Sequence, residues 1–239
     1  LHDVAGAFVE AFARACRAEL SFALETCRAE ALADRSGYQV NPAQTSRRAL
    51  AGFATRLLGV LGDDESVDWA EAYDAATNMT ETTAVLSALA KHPKAGAARR
   101  RAFQAFHEKW KDDANVVCTY FSLVAASVRD VFEGGDEKEE EGEEGDAGER
   151  TSWTPLENVK RALSLPSYDP KLPNKFYALI GGFARSNPRA FHASDGSGYR
   201  FLADRLMEMD ALNPQAAARI AKPFTEWRLY DEKRRGVIK

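Results

Sequence analysis

Residues 187–200, NPRAFHASDGSGYR, bring a histidine, two serines, an aspartate and two glycines into one short stretch. Those residue types could serve a nucleophilic hydrolase or cradle a phosphate. A hydrolase elbow needs G-x-S-x-G between a strand and a helix. Here the string is D-G-S-G, and helical patterns lie on both sides. A phosphate loop needs a lysine after its glycines, and Tyr199 stands there instead. The remaining reading is a corner between helices. Asn187 caps the turn PRAFHA with Pro188 at its first position, and Asp195 or Ser197 caps the helix that follows. Gly196 and Gly198 let the chain bend sharply.

A second candidate is FHEKWK, residues 106–111. Two histidines one helical turn apart, in H-E-x-x-H, hold zinc and leave the glutamate as base. His107 and Glu108 supply the first half, but the fifth position is Lys111, a cation that repels a metal ion. His2, His92, His107 and His192 show no ligand spacing. Cys16, Cys27 and Cys118 contain no C-x-x-C. Cys16 and Cys27 on one helix would lie about 16 Å apart along its axis, beyond disulfide reach, so reduced, buried thiols of a cytoplasmic protein are expected. The basic clusters RRRAF (99–103) and EKRRG (232–236) read as solvated helix faces with carboxylate partners rather than nucleic-acid contacts. Trp69, Trp110 and Phe183 sit at core-like helical spacing, where packing is the default role.

These residues must be positioned by helices. The stretch HDVAGAFVEAFARACRAELSFALETCRAEAL places Val4, Phe8, Phe12, Ala15, Leu20 and Leu24 at helical spacing. TSRRALAGFATRLLGVLG follows, capped by Thr45 or Ser46 and ended by Gly62. Thr80 is the expected cap of MTETTAVLSALAKH, which Pro93 stops. Further helical patterns run through 66–78, 94–113, 115–127, 155–165, 174–187, 196–212 and 213–235, and no convincing run alternates apolar with polar residues. The expectation is an all-α chain of about a dozen short helices. Short connections make consecutive helices antiparallel neighbours, and such pairs stack into a superhelical array of the HEAT or armadillo type with a degenerate repeat. A compact helical bundle is the competing architecture.

Residues 133–149, EGGDEKEEEGEEGDAGE, carry 10 acids and one lysine. Like charge and few apolar side chains predict a disordered, dispensable insert. The chain's formal charge of −4 arises there. The remainder is mildly basic, too little to demand nucleic acid. No run approaches the roughly 20 apolar residues of a membrane span. The start has no signal-peptide pattern, and its lack of Met suggests a fragment.

Three strings occur together and in order: YDAATNMTETTAVLSAL (73–89), LIGGFARSNPRAFHASDGSGYRFLADRL (179–206) and LNPQAAARIAKPFTEWRLYDEKRR (212–235). They resemble the C-terminal helical domain of aminopeptidase N, in the bacterial and protozoan branch of the zinc aminopeptidases with H-E-x-x-H and G-A-M-E-N motifs. The likeness covers nearly the whole chain, weakly over 1–60 and strongly over 173–235. It implies one helical domain over 1–239, interrupted by the acidic insert. It implies a noncatalytic part of an enzyme that removes N-terminal residues from peptides, a part that covers the active site and shapes its channel.

Zinc then belongs to the full-length enzyme, and no metal or catalytic residue is expected in this chain, nor activity from it alone. Its partners would be the catalytic and other domains of its own polypeptide and the peptide substrate, with no nucleic acid and no membrane. By the same resemblance, Gln215 and Arg219 of LNPQAAAR reach the substrate channel. Asn213 caps, Pro214 takes the first helical position, and Gln215 and Arg219 share a face one turn apart. That positive helix start and guanidinium favour an anionic or carbonyl-bearing group. The bland reading of the pair is an exposed polar helix face. Tyr177 of NKFYALIG departs from the pattern, since bacterial members carry a basic residue there. The acidic insert and the early end after YDEKRR depart too. The rival reading is a free-standing helical-repeat scaffold that binds other proteins, and a nucleic-acid-binding repeat is a third.

Overall fold

The computed structural model describes residues 2–62, 67–132 and 154–238. Among them every regular element is a helix, with no strand. The chain gathers into two compact units, Leu1–Phe106 and His107–Lys239. The expectation of disorder over 133–149 lies outside the described residues.

The first unit opens with α1 (His2–Ala15) and α2 (Arg17–Ala33). They meet at Cys16, whose backbone leaves the helical region and divides the single helix expected from the spacing. The spacing also proves misleading about burial. Leu20 and Leu24 are buried, but Val4, Phe8 and Phe12 are exposed, Phe8 at 69%. Helical period identifies a common face but not what covers it. α3 (Pro42–Leu58) packs on α2 and α5 (Met79–Leu89). It begins earlier than expected because Asn41, not Thr45 or Ser46, is the cap: its side chain accepts from the Gln44 N–H at 2.9 Å, with Pro42 at the first position. Its C-cap is Gly59 rather than Gly62. α5 is likewise capped by Asn78, not Thr80, through a 3.2 Å bond from the Glu81 N–H. The Glu81 carboxylate returns to the Thr77 N–H at 3.0 Å, joining the entry loop to the first turn. Trp69 starts α4 (Trp69–Asp74) and is buried against His92, ring centroids 5.3 Å apart. α6 (Gly96–Trp110) follows.

The second unit is built on α7 (Val116–Ala126), VVCTYFSLVAA, apolar over most of its circumference and therefore central. Val117, Tyr120, Phe121, Leu123 and Val124 are buried. α8 (Pro155–Leu163), α9 (Pro173–Phe176) and α10 (Gly182–Ser186) pack on it. Between α9 and α10 the helix widens into one π turn, Tyr177–Gly181. Asn158 bridges the loop after α7, donating to the Arg129 carbonyl at 2.8 Å and accepting from the Val131 N–H at 3.3 Å. There follow α11 (Pro188–Phe191), α12 (Ser197–Leu212) and α13 (Pro214–Ile220). Pro223 lies in α14 (Lys222–Thr225), separate from α13, and a 3-10 turn, Trp227–Leu229, leads to α15 (Glu232–Ile238). The final stretch is thus several short pieces rather than one helix. Proline's missing N–H and its ring oppose continuation there.

Candidate functional site

The paired polar residues of α13 stand as their spacing requires. Asn213 accepts from the Ala216 N–H at 3.0 Å, and Pro214 opens the helix. Ala216, Ala217 and Ile220 are buried, which leaves Gln215 and Arg219 exposed on the opposite side. The guanidinium carbon of Arg219 lies 4.9 Å from the centre of the Tyr177 ring, a cation–π contact. Tyr177 is the first residue of the π turn, and Gly181 is its last. A methyl group at Gly181 would stand 2.7 Å from Ile220 Cδ1, so the Ile220 side chain of α13 packs directly on the bare glycine of this turn. π turns recur at functional sites because they redirect side chains within an otherwise regular helix. The surface formed by Gln215, Arg219 and Tyr177 offers one cation, one neutral amide and an aromatic face.

The 187–200 stretch is a corner between helices, as expected, and also a seat for the C-terminal segment. The N-cap of α12 is Gly196, without a side-chain cap bond, so neither Asp195 nor Ser197 is the cap expected; the Asp195 Oδ1 instead accepts from the Ser197 N–H at 2.9 Å and from the Ser197 hydroxyl at 2.8 Å. Those two bonds hold the Asp195 carboxyl below its usual range. Gly196 has φ +72°, and a methyl there would meet Val237 Cγ1 at 2.4 Å. Asn187 precedes α11 without a side-chain cap bond; its amide donates instead to the Ser127 carbonyl at 2.8 Å. The His192 ring is buried, with Nδ1 2.8 Å from the Tyr199 hydroxyl and Nε2 3.0 Å from the Tyr230 hydroxyl. Whichever nitrogen carries the proton, a hydroxyl can match it by donating or accepting. Burial pushes the Tyr199 hydroxyl up to about 12. Arg234 donates through Nε to the His192 carbonyl at 2.7 Å and pairs with Asp231. With both ring nitrogens engaged by tyrosines, and Ser197 bonded to Asp195, the stretch has no histidine free to activate a serine. Sequence reading missed this cluster; its only trace was the joint occurrence of D-G-S-G-Y and Y-D-x-K-R.

HEKWK does not offer zinc a ligand set. Lys111 Nζ sits 2.7 Å from Glu108 and occupies the carboxylate. His107 Nε2 lies 2.8 Å from the Ser167 hydroxyl, its ring 4.7 Å from that of Tyr120, and burial lowers its basicity. His92 Nδ1 accepts from the N–H groups of Lys94 and Ala95 at 3.1 and 3.0 Å, ahead of α6. Among the described residues no three His, Cys, Asp or Glu side chains gather as a metal site. The three thiols are free, and burial pushes Cys27 and Cys118 up, away from thiolate chemistry. Of the basic clusters, Arg101 has the carboxylate partner expected, Asp74 at 2.8 Å, but Arg99 is buried and donates to the His92 carbonyl at 2.9 Å.

The first unit contains a cleft of about 640 Å³ whose lining includes Cys27, Arg28, Arg47, Gly52, Glu71 and Glu81. Several of its polar groups serve the fold. Arg47 pairs with Asp34 at 3.0 Å, Arg48 bonds Gln44 and the Gln39 carbonyl, and Glu81 bonds Thr77. Among the described residues no helix is long and apolar enough to cross a membrane.

A family model described as a domain of unknown function (DUF3458_C) with ARM repeats matches residues 1–137 and 145–239. The gap falls inside the acidic segment. The helical array seen here fits that repeat description. Aminopeptidase N of Escherichia coli (strain K12) is 32% identical over 204 residues, covering 84% of this chain and 20% of that protein. Aminopeptidase N of Haemophilus influenzae is 32% identical over 167 residues, 70% of this chain and 16% of that one. The Caulobacter vibrioides protein of the same name is 30% identical over 158 residues, 66% and 15%. Among solved structures, Legionella pneumophila aminopeptidase A in complex with aspartic acid superposes with a TM-score of 0.69 at 25% identity. That match covers 97% of this chain and 25% of the other. The chain spans about a fifth of the length of the relatives it matches.

Proposed function

Because the chain belongs to the DUF3458_C ARM-repeat family, the helical C-terminal domain of aminopeptidases related to aminopeptidase N, we propose that it is the noncatalytic part of a zinc-dependent enzyme that removes N-terminal residues from peptides. In this reading Gln215 and Arg219 line the peptide channel. The observation that carries it is their shared exposure on α13, with Arg219 laid over Tyr177. A short neutral amide shapes a side-chain pocket without adding charge. A guanidinium offers a planar fork to a carbonyl or carboxylate. Zinc, for which the described residues gather no ligand set, would reside in the catalytic part of the full-length polypeptide.

The other domains of that polypeptide are the proposed partners. The exposed apolar side chains Val4, Phe8 and Phe12 of α1 support this, since such groups usually mark an interaction surface when they cluster. The free thiols support a cytoplasmic enzyme.

The test is steady-state kinetics of the full-length enzyme on matched peptides and aminoacyl anilides. Arg219→Ala should raise KM for peptides more than for anilides, which lack the distal groups. The expected loss is about 1 to 3 kcal/mol for a charged hydrogen bond. Gln215→Ala should change the preference among N-terminal residues. Equal effects on both substrate types, with selectivity unchanged, would return the pair to a solvated helix face.

A further inference from the structure

Arg219 is the longest and most flexible of the groups on this surface, and a free guanidinium loses much rotational freedom when it binds. The structure restrains it beforehand. Tyr177 lies 42 residues earlier in the chain, yet its ring centre is 4.9 Å from the Arg219 guanidinium carbon. Two features bring them together. The π turn Tyr177–Gly181 puts the ring at its first residue, where the helix departs from regular α geometry. The bare Gly181 lets Ile220, the neighbour of Arg219, close onto the same turn. Ile220 is buried and Tyr177 is half-buried, so the ring is part of the packed surface, whereas Arg219 is exposed. A guanidinium resting on an aromatic ring keeps its N–H edge free, because the attraction uses the charge and the flat face rather than the donors.

We propose that Tyr177 is a positioning residue: its ring holds the Arg219 guanidinium so that the N–H edge meets an oxygen of the bound peptide beyond its N-terminal residue. This rests on the channel reading of Gln215 and Arg219. The oxygen is a backbone carbonyl or the carboxylate of a short peptide.

The experiment measures kcat and KM of the full-length enzyme on a tripeptide, the corresponding tripeptide amide and an aminoacyl anilide. The variants are Tyr177→Leu, Tyr177→Phe, Arg219→Ala and the Leu/Ala double variant. Tyr177→Leu should raise KM for the tripeptide roughly two- to fivefold, the worth of a partly exposed cation–π contact. Neither kcat nor the anilide KM should follow. Tyr177→Phe, which keeps the ring face, should recover most of that loss. In the Arg219→Ala background, Tyr177→Leu should add nothing further. A KM rise for the acid alone assigns the carboxylate, and an equal rise for the amide assigns a carbonyl. Tyr177→Met serves the same purpose if the Leu variant does not fold.

If Arg219→Ala impairs peptide binding and Tyr177→Leu does not, the positioning role is overturned and the channel reading stands. If Arg219→Ala has no peptide-specific effect, the channel reading falls and takes this role with it. A Tyr177→Leu effect that persists without Arg219, or is not recovered by Phe, also overturns it.

Discussion

The Tyr230 hydroxyl lies 3.0 Å from Nε2 of His192, across 38 residues of chain. The two rings are 4.3 Å apart, and Arg234 reaches back to the His192 carbonyl. The last short helices are therefore fastened to the corner that precedes α12 by a ring contact and two hydrogen bonds.

Tyr230→Phe keeps the ring and removes one hydrogen bond to a buried imidazole. Protection of α14 and α15 against hydrogen exchange should fall by about 1 kcal/mol. Tyr230→Ala removes the ring as well and should cost roughly 2 kcal/mol, below the value for a fully buried aromatic because Tyr230 is half-buried. Exchange by mass spectrometry over 222–238 checks this. Unchanged protection in both variants would show that other contacts hold the segment.

Gly198→Ala should destabilise by about 3 kcal/mol, at the upper end for overpacking. Its methyl would lie 2.3 Å from the Phe191 carbonyl oxygen and 2.8 Å from two further Phe191 backbone atoms, none of which can swing aside. Gly6→Ala is the control. Nothing lies within 4 Å of that position in α1, and the helix should gain roughly 0.5 to 1 kcal/mol. Thermal melts of both variants should move in opposite directions.

Asp34 accepts from the Ser36 hydroxyl and N–H, from Arg47 and from Gln44, and these bonds hold its carboxyl well below the usual range. A depressed folded-state pKa contributes stability that is complete above the unfolded value, near 4, and is lost as pH falls through the folded value. Stability of the first unit should therefore decline below about pH 4, and Asp34→Asn should flatten that decline while lowering stability at neutral pH. Urea midpoints between neutral pH and the acid limb give the comparison. Parallel curves for the two proteins would assign the acid sensitivity to other carboxyls.

The isolated chain should bind no stoichiometric zinc and hydrolyse no aminoacyl anilide. Glu108 is held by Lys111 and His107 by Ser167, so the near-motif has no converging donors. Metal analysis after dialysis against zinc, together with an anilide assay, tests it. Chelator-sensitive turnover that survives exhaustive purification would contradict it.

Local chemistry was legible where it depended on neighbours in sequence. The helical class, the proline at the start of α13, its Asn213 cap and the common face of Gln215 and Arg219 follow from spacing, since residues four apart meet on any helix. The expectation that HEKWK holds no zinc pair rests on a single lysine at its fifth position. Caps were less legible. Asn41 and Asn78 took the places expected for Thr45 or Ser46 and for Thr80, because several capping residues lay near each start and the direction of chain entry selects among them. Burial of α1 was misjudged for a related reason: period defines a stripe, and only the packing partner decides whether Phe8 and Phe12 are covered. What no local pattern contains are the contacts between residues 38 to 42 apart, His192 with Tyr230 and Arg234, and Tyr177 with Arg219. Those depend on a π turn, on glycines at points of close approach and on where short helices end. The sequence by itself determined which side chains this surface carries; the tertiary structure decided which of them touch, because those distances are set by the packing of whole helices rather than by chain neighbours.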